Sequence, residues 1–71
     1  MSNDYLRVQI NDYLKTNNLK LKDLANTIGI SEQTLKKSLN NKRDFYVNEI
    51  YKLTKILNIK DIDKVFFNQS V

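Results

Sequence analysis

Leu24-Ala25-Asn26-Thr27-Ile28-Gly29-Ile30-Ser31-Glu32-Gln33-Thr34-Leu35 reads as one short helix, a tight turn at the chain's only glycine, and a second helix that opens after Ser31. Glycine takes positive φ at no steric cost, so it can end a helix and redirect the chain within a few residues. Ser31 is placed to accept from a free N–H at the start of the next helix. Ala25, four positions before Gly29, is small enough to let the two helices approach closely at a sharp crossing. Leu24, Ile28, Ile30 and Leu35 are the apolar residues that fill the angle between them.

Working outward, the 71 residues are expected to make a single domain over 1–71, and a chain this short buries only about 60% of its unfolded surface. It has no cysteine and no histidine. Disulfide staples and the usual zinc and acid–base side chains are therefore missing, so apolar packing or dimerisation must supply stability, and neither catalysis, a metal nor a cofactor is expected. Asp61 and Asp63 read as helix-start charges rather than paired catalytic carboxylates. The N-terminus has no basic region followed by an apolar run, and no apolar stretch approaches the roughly 20 residues that span a bilayer, so the expectation is a cytoplasmic protein without a membrane contact or a small-molecule ligand. The net charge of +4 favours a polyanionic partner.

With no proline and one glycine, asparagine supplies most of the punctuation. Breaks are expected at Asn17-Asn18, Gly29, Asn40-Asn41 and Asn58, the last as a left-handed cap. Between them the apolar residues recur at helical spacing: Leu6, Ile10, Tyr13 and Leu14, then Leu21, Leu24, Ala25 and Ile28. The third segment, Ser31 to about Asn40, has only Leu35 and Leu39 as apolar anchors, which leaves most of its surface for something other than the core. The fourth, Val47 to Leu57, carries Val47, Ile50, Leu53, Ile56 and Leu57. Asp61 opens a last turn through Ile62, Val65 and Phe66.

From about Leu19 to Phe66 the chain resembles the phage repressor and Cro, or XRE-type, family of helix-turn-helix regulators. The resemblance rests on Leu24-Ala25, Gly29-Ile30-Ser31, Leu35, Asn40-Asn41-Lys42-Arg43, and the Ile50, Leu53, Leu57, Asn58, Ile59 pattern. It implies an all-α, compact five-helix domain with the helix-turn-helix at about 20–40, whose third helix enters the major groove of double-stranded DNA, in many members as a two-fold dimer. Three departures from the family involve four positions. Leu21 stands where a phosphate-holding glutamine is common, which leaves Lys20 or Lys22 as the substitute. Leu39 and Leu14 stand where a glutamate and an arginine often pair, so an apolar contact is expected in place of an ion pair. Ser38 stands where a large apolar residue is usual, so the helix is expected to be less tightly anchored at its C-terminal end.

By the resemblance, Glu32, Gln33 and Lys37 fall at base-reading positions, with Thr34 and Lys36 at the edge of that face. Gln33 can pair bidentately with adenine, Lys37 can donate to guanine, and Glu32 can accept from the cytosine amino group. The bland reading is a solvated face of an amphipathic helix, with Glu32 near the N-terminus favoured by the helix dipole. Lys36, Lys37, Lys42 and Arg43 form a basic run with Asn40 and Asn41 between, suited to phosphate contact, as are Lys20, Lys22 and Ser31. Tyr46 offers a hydroxyl to a phosphate, or else Phe45 and Tyr46 pack the third helix onto the fourth. The tail, 65–71, is either a two-fold contact or a core closure by Phe66 with a frayed end. The function expected is a sequence-specific regulator of transcription, a repressor-like or Cro-like homodimer at an inverted-repeat operator. The rival is the same scaffold used for protein interaction, as an antitoxin or a phage-encoded inhibitor of a host protein.

Overall fold

Helical spacing of the apolar residues becomes helices in the computed structural model, which describes residues 3–66. In chain order they are α1 (Asp4–Thr16), α2 (Leu21–Ile28), α3 (Glu32–Leu39), α4 (Val47–Ile56) and α5 (Asp63–Phe66), with no strand among the described residues. Leu6 and Ile10 of α1, Leu24, Ala25 and Ile28 of α2, Leu35 and Leu39 of α3, and Ile50 and Leu53 of α4 meet in one core with Phe45, Ile59 and Val65. The positions recur at i, i+3 and i+4, so each helix turns one stripe inward. No helix among the described residues is long and apolar enough to cross a membrane.

The turns are built by one device used four times. Asn18, Gly29, Asn41 and Asn58 take φ of 54°, 84°, 62° and 55°. After each of them an N–H reaches back five residues: Leu19 to Leu14 O (2.9 Å), Ile30 to Ala25 O (3.0 Å), Lys42 to Lys37 O (2.9 Å) and Ile59 to Thr54 O (2.9 Å). This is the Schellman closure, which satisfies carbonyls the helix end leaves without partners. At three of the closures the residue after the left-handed one is apolar; after α3 it is Lys42, which is exposed. The end of α3 therefore projects a cation where the other helix ends project an aliphatic side chain.

Two expectations are corrected here. Val47 is 62% exposed rather than buried: it shares a helical face with the buried Ile50 and Thr54, but it is the first residue of α4. Phe45 and Tyr46 do not act together: Phe45 is buried, whereas Tyr46 is 64% exposed. At the C-terminus α5 packs on α1, with the Lys64 ammonium 5.2 Å from the centre of the Tyr5 ring. Val65 is buried in the core, so it does not offer surface to a second copy. The side chain of Phe66 and residues 67–71 lie outside the described residues.

A Cβ added at Gly29 would meet only Lys52 Nζ, at 3.9 Å. The cost of Gly29→Ala is therefore conformational, about 1–2 kcal/mol for a left-handed residue with a Cβ, whereas Gly29→Asn should lose less, since asparagine tolerates this region. Urea unfolding of the two variants checks this order.

Candidate nucleic-acid interface

α3 is an eight-residue helix, too short to be stable by itself, so its position depends on what holds each end. Its start follows the Gly29 turn, where Ser31 Oγ accepts from the N–H of Thr34 at 3.1 Å and donates to Thr34 Oγ1 at 2.8 Å. Leu35, Ser38 and Leu39 face inward. At roughly 100° per residue, Gln33, Lys37 and Asn40 fall within about 60° of arc on the opposite side, and all three are exposed. Lys36 flanks them, 3.7 Å from Glu32 one turn earlier, in a solvent-exposed pair of little energetic weight. Glu32 and Thr34 are half-buried. Around the helix the order is Lys36, Asn40, Gln33, Lys37, so the face carries two neutral hydrogen-bonding groups with a cation on either side.

The C-terminal end is held by α1. The last carbonyls of a helix lack partners within it, and here each finds one. Asn40 N–H donates to Lys36 O (2.9 Å), Lys42 N–H to Lys37 O (2.9 Å) and Asn41 N–H to Ser38 O (3.2 Å). Ser38 O also accepts from Asn3 Nδ2 at 2.9 Å, and Leu39 O from Arg7 Nη1 at 3.4 Å. Asn3 Nδ2 donates as well to Asn41 Oδ1 at 3.1 Å, and Arg7 Nη1 reaches Asn40 Oδ1 at 3.5 Å.

Ser38 is 0% exposed, and here the structure departs from the expectation of a loosely anchored helix end. The small side chain leaves room for the Arg43 guanidinium, whose Nη1 donates to Ser38 Oγ at 2.8 Å. The same guanidinium makes a two-pronged contact with Glu49, Nη1 to Oε1 at 3.0 Å and Nη2 to Oε2 at 2.9 Å, and lies 4.6 Å from the centre of the Tyr46 ring. Glu49 is 4% exposed and also accepts from the N–H of Tyr46 at 3.0 Å, closing the start of α4. Burial alone would raise the Glu49 pKa; the Arg43 hydrogen bonds and the Tyr46 N–H overcome it and hold the carboxyl below its ordinary value. Glu49 in turn raises the Arg43 pKa. Arg43, expected at a phosphate, thus has its guanidinium committed inside the domain.

The other expected phosphate residues lie outside the core. Lys20 and Lys22 are exposed at the start of α2, where Asp23 Oδ2 accepts from the N–H of Lys20 at 2.9 Å. Lys42, Asn40, Asn41, Ser31 and Tyr46 are exposed. Leu39 is buried in the core, Leu14 is partly buried against that core, and both line one cleft of about 320 Å³ with Ile10, Leu21 and Arg7. Sequence reasoning missed Asn3, Arg7 and Glu49. Ser38 carried one signal: a hydroxyl at an inward helical position requires a polar partner, which here is Arg43.

Residues 4–63 match the family model of the Cro/C1-type helix-turn-helix DNA-binding domain. No curated protein and no solved structure matches the chain.

Because the Glu49 pKa is lowered on folding, its contribution to stability is present above the ordinary value of 4.5 and is lost as pH falls through the folded value. Glu49→Gln leaves a largely buried guanidinium without its counter-charge and should cost about 3 kcal/mol at pH 7. The gap between variant and parent in urea unfolding should narrow as pH drops below that of ordinary carboxylates; a gap independent of pH would contradict the assignment.

Proposed function

We propose that this chain, which belongs to the Cro/C1-type helix-turn-helix DNA-binding family, is a sequence-specific transcriptional regulator that acts by occupying a duplex operator, in the manner of a repressor or Cro. The observation that carries this reading is the division of α3: Leu35, Ser38 and Leu39 buried, Gln33, Lys36 and Lys37 exposed. A helix with its side chains is about 10–12 Å across, which suits the roughly 12 Å width of the major groove. In this reading Gln33 pairs with adenine, Lys37 donates to guanine and Glu32 accepts from a cytosine amino group. Thr34 and Lys36 border that contact. Lys20, Lys22, Ser31, Asn40, Asn41, Lys42 and Tyr46 meet phosphates. Arg43 holds the end of α3 from inside. A homodimer on an inverted repeat completes the reading, with half-site centres about 34–36 Å apart or a multiple of that.

A second reading, a scaffold that captures a protein, is favoured by one feature: Tyr46, Val47 and Tyr51 at the start of α4 are all more than half exposed. Such neighbouring apolar surface suits a protein contact. Weak retention of DNA at physiological salt together with tight capture of a protein would support it.

Selection of bound fragments from a random duplex library should return one sequence class. On that sequence Gln33→Ala should lose about 1–3 kcal/mol while non-specific binding barely changes. Lys42→Ala should weaken both alike and flatten the salt dependence by about 0.9 in log–log slope. Equal losses for Gln33→Ala on selected and random duplexes would remove it from sequence reading.

A further inference from the structure

Asn3 occupies the N-cap position of α1, yet its side chain makes no cap hydrogen bond there. It is 3% exposed, and its amide nitrogen points across to the end of α3. The identity of the two amides is fixed by what surrounds them. Ser38 O can only accept, so the atom of Asn3 at 2.9 Å from it is the NH2 group. That group carries a second hydrogen, and the Asn41 atom 3.1 Å away must therefore be the acceptor, Oδ1. Asn41 is consequently held with its oxygen toward Asn3, which leaves the NH2 as the half of the amide that Asn3 does not engage, on an exposed residue beside Lys42. Its left-handed φ of 62° fixes the backbone beneath.

Helix C-termini repel anions through their carbonyls. Here Ser38 O and Leu39 O are covered by Asn3 and Arg7, and the half of the Asn41 amide that Asn3 does not engage is a donor. Phosphate oxygens only accept. We infer that Asn3 is a positioning residue for DNA: it locks Asn41 as an obligate donor, so that the C-terminal end of α3 offers an NH2 group, and not a carbonyl, to a backbone phosphate. This deepens the proposed function and rests on it. It assigns Asn3, far from α3 in sequence, to the same contact.

The test uses the full chain and a fixed duplex, with affinity and thermal melting read together. Asn41→Asp keeps Oδ1 for Asn3 and replaces the NH2 by an anionic oxygen. It should melt near the parent and bind DNA at least about tenfold more weakly than Asn58→Asp, which makes the same charge change at the equivalent left-handed position after α4. Asn41→Ala should weaken binding while leaving the salt slope unchanged, since a neutral donor releases no counterion. Asn3→Ala should weaken binding in the parent but add nothing in the Asn41→Ala background, the non-additivity expected of residues that act as one unit. Equal losses for Asn41→Asp and Asn58→Asp, or additive losses for Asn3→Ala and Asn41→Ala, would overturn the inference while leaving DNA binding intact. Absence of duplex binding by the parent would overturn both.

Discussion

The two-pronged contact between Arg43 and the buried Glu49 carboxylate is the constraint on which the presentation of α3 depends. Glu49 closes the first turn of α4 through the Tyr46 N–H, and Arg43 reaches the Ser38 hydroxyl. One ion pair thus fastens the end of α3, the connection through residues 40–46 and the start of α4 into a single piece. That connection has no regular secondary structure, and within it Phe45 is the buried apolar anchor. Two large hydrophobic side chains could supply comparable stability. A planar guanidinium bonded to a carboxylate and a hydroxyl sets both distance and orientation at this junction.

The same economy of short polar side chains appears at the helix ends. Asparagine takes the left-handed position after α1, α3 and α4, and glycine after α2. Asparagine tolerates this conformation and keeps an amide, so a turn residue can also be a contact residue. After α3 both properties are used, because Asn3 and Arg7 approach from α1 and bind the carbonyls and the amide oxygens there. The polar face of α3 is in this way oriented by α1, by α4 and by its own Ser31 cap, while Leu35 and Leu39 supply the apolar attachment.

The helices and their breaks were legible because they depend on local chemistry. Gly29 and Ser31 mark the turn, the asparagines mark the other ends, and the apolar spacing of α1 and α2 identifies their buried stripes. The all-α helix-turn-helix class followed from the same residues, and the family match over 4–63 agrees with it. What was not legible depends on contacts distant in sequence. Arg43 looks like the last member of a basic run; only the fold brings Glu49 to it. Ser38 looks like a weak anchor until the guanidinium is placed against it. Val47 fits the apolar pattern of α4, three residues before the buried Ile50, yet as the first residue of the helix it is exposed, which the period alone does not tell. Asn3, 35 positions from Ser38, carried no local signal of its role.

The most direct measurement of the central claim is site-resolved amide hydrogen exchange on Arg43→Met, which removes the charge and the donors while keeping an unbranched apolar stem. If the ion pair fixes the end of α3, protection at the N–H groups of Asn40, Asn41 and Lys42, whose acceptors are Lys36 O, Ser38 O and Lys37 O, should fall by more than the decrease that the lower global stability imposes on the buried stretches of α1 and α2. Unchanged protection at those three amides, or a loss there no larger than that of α1 and α2, would contradict the account.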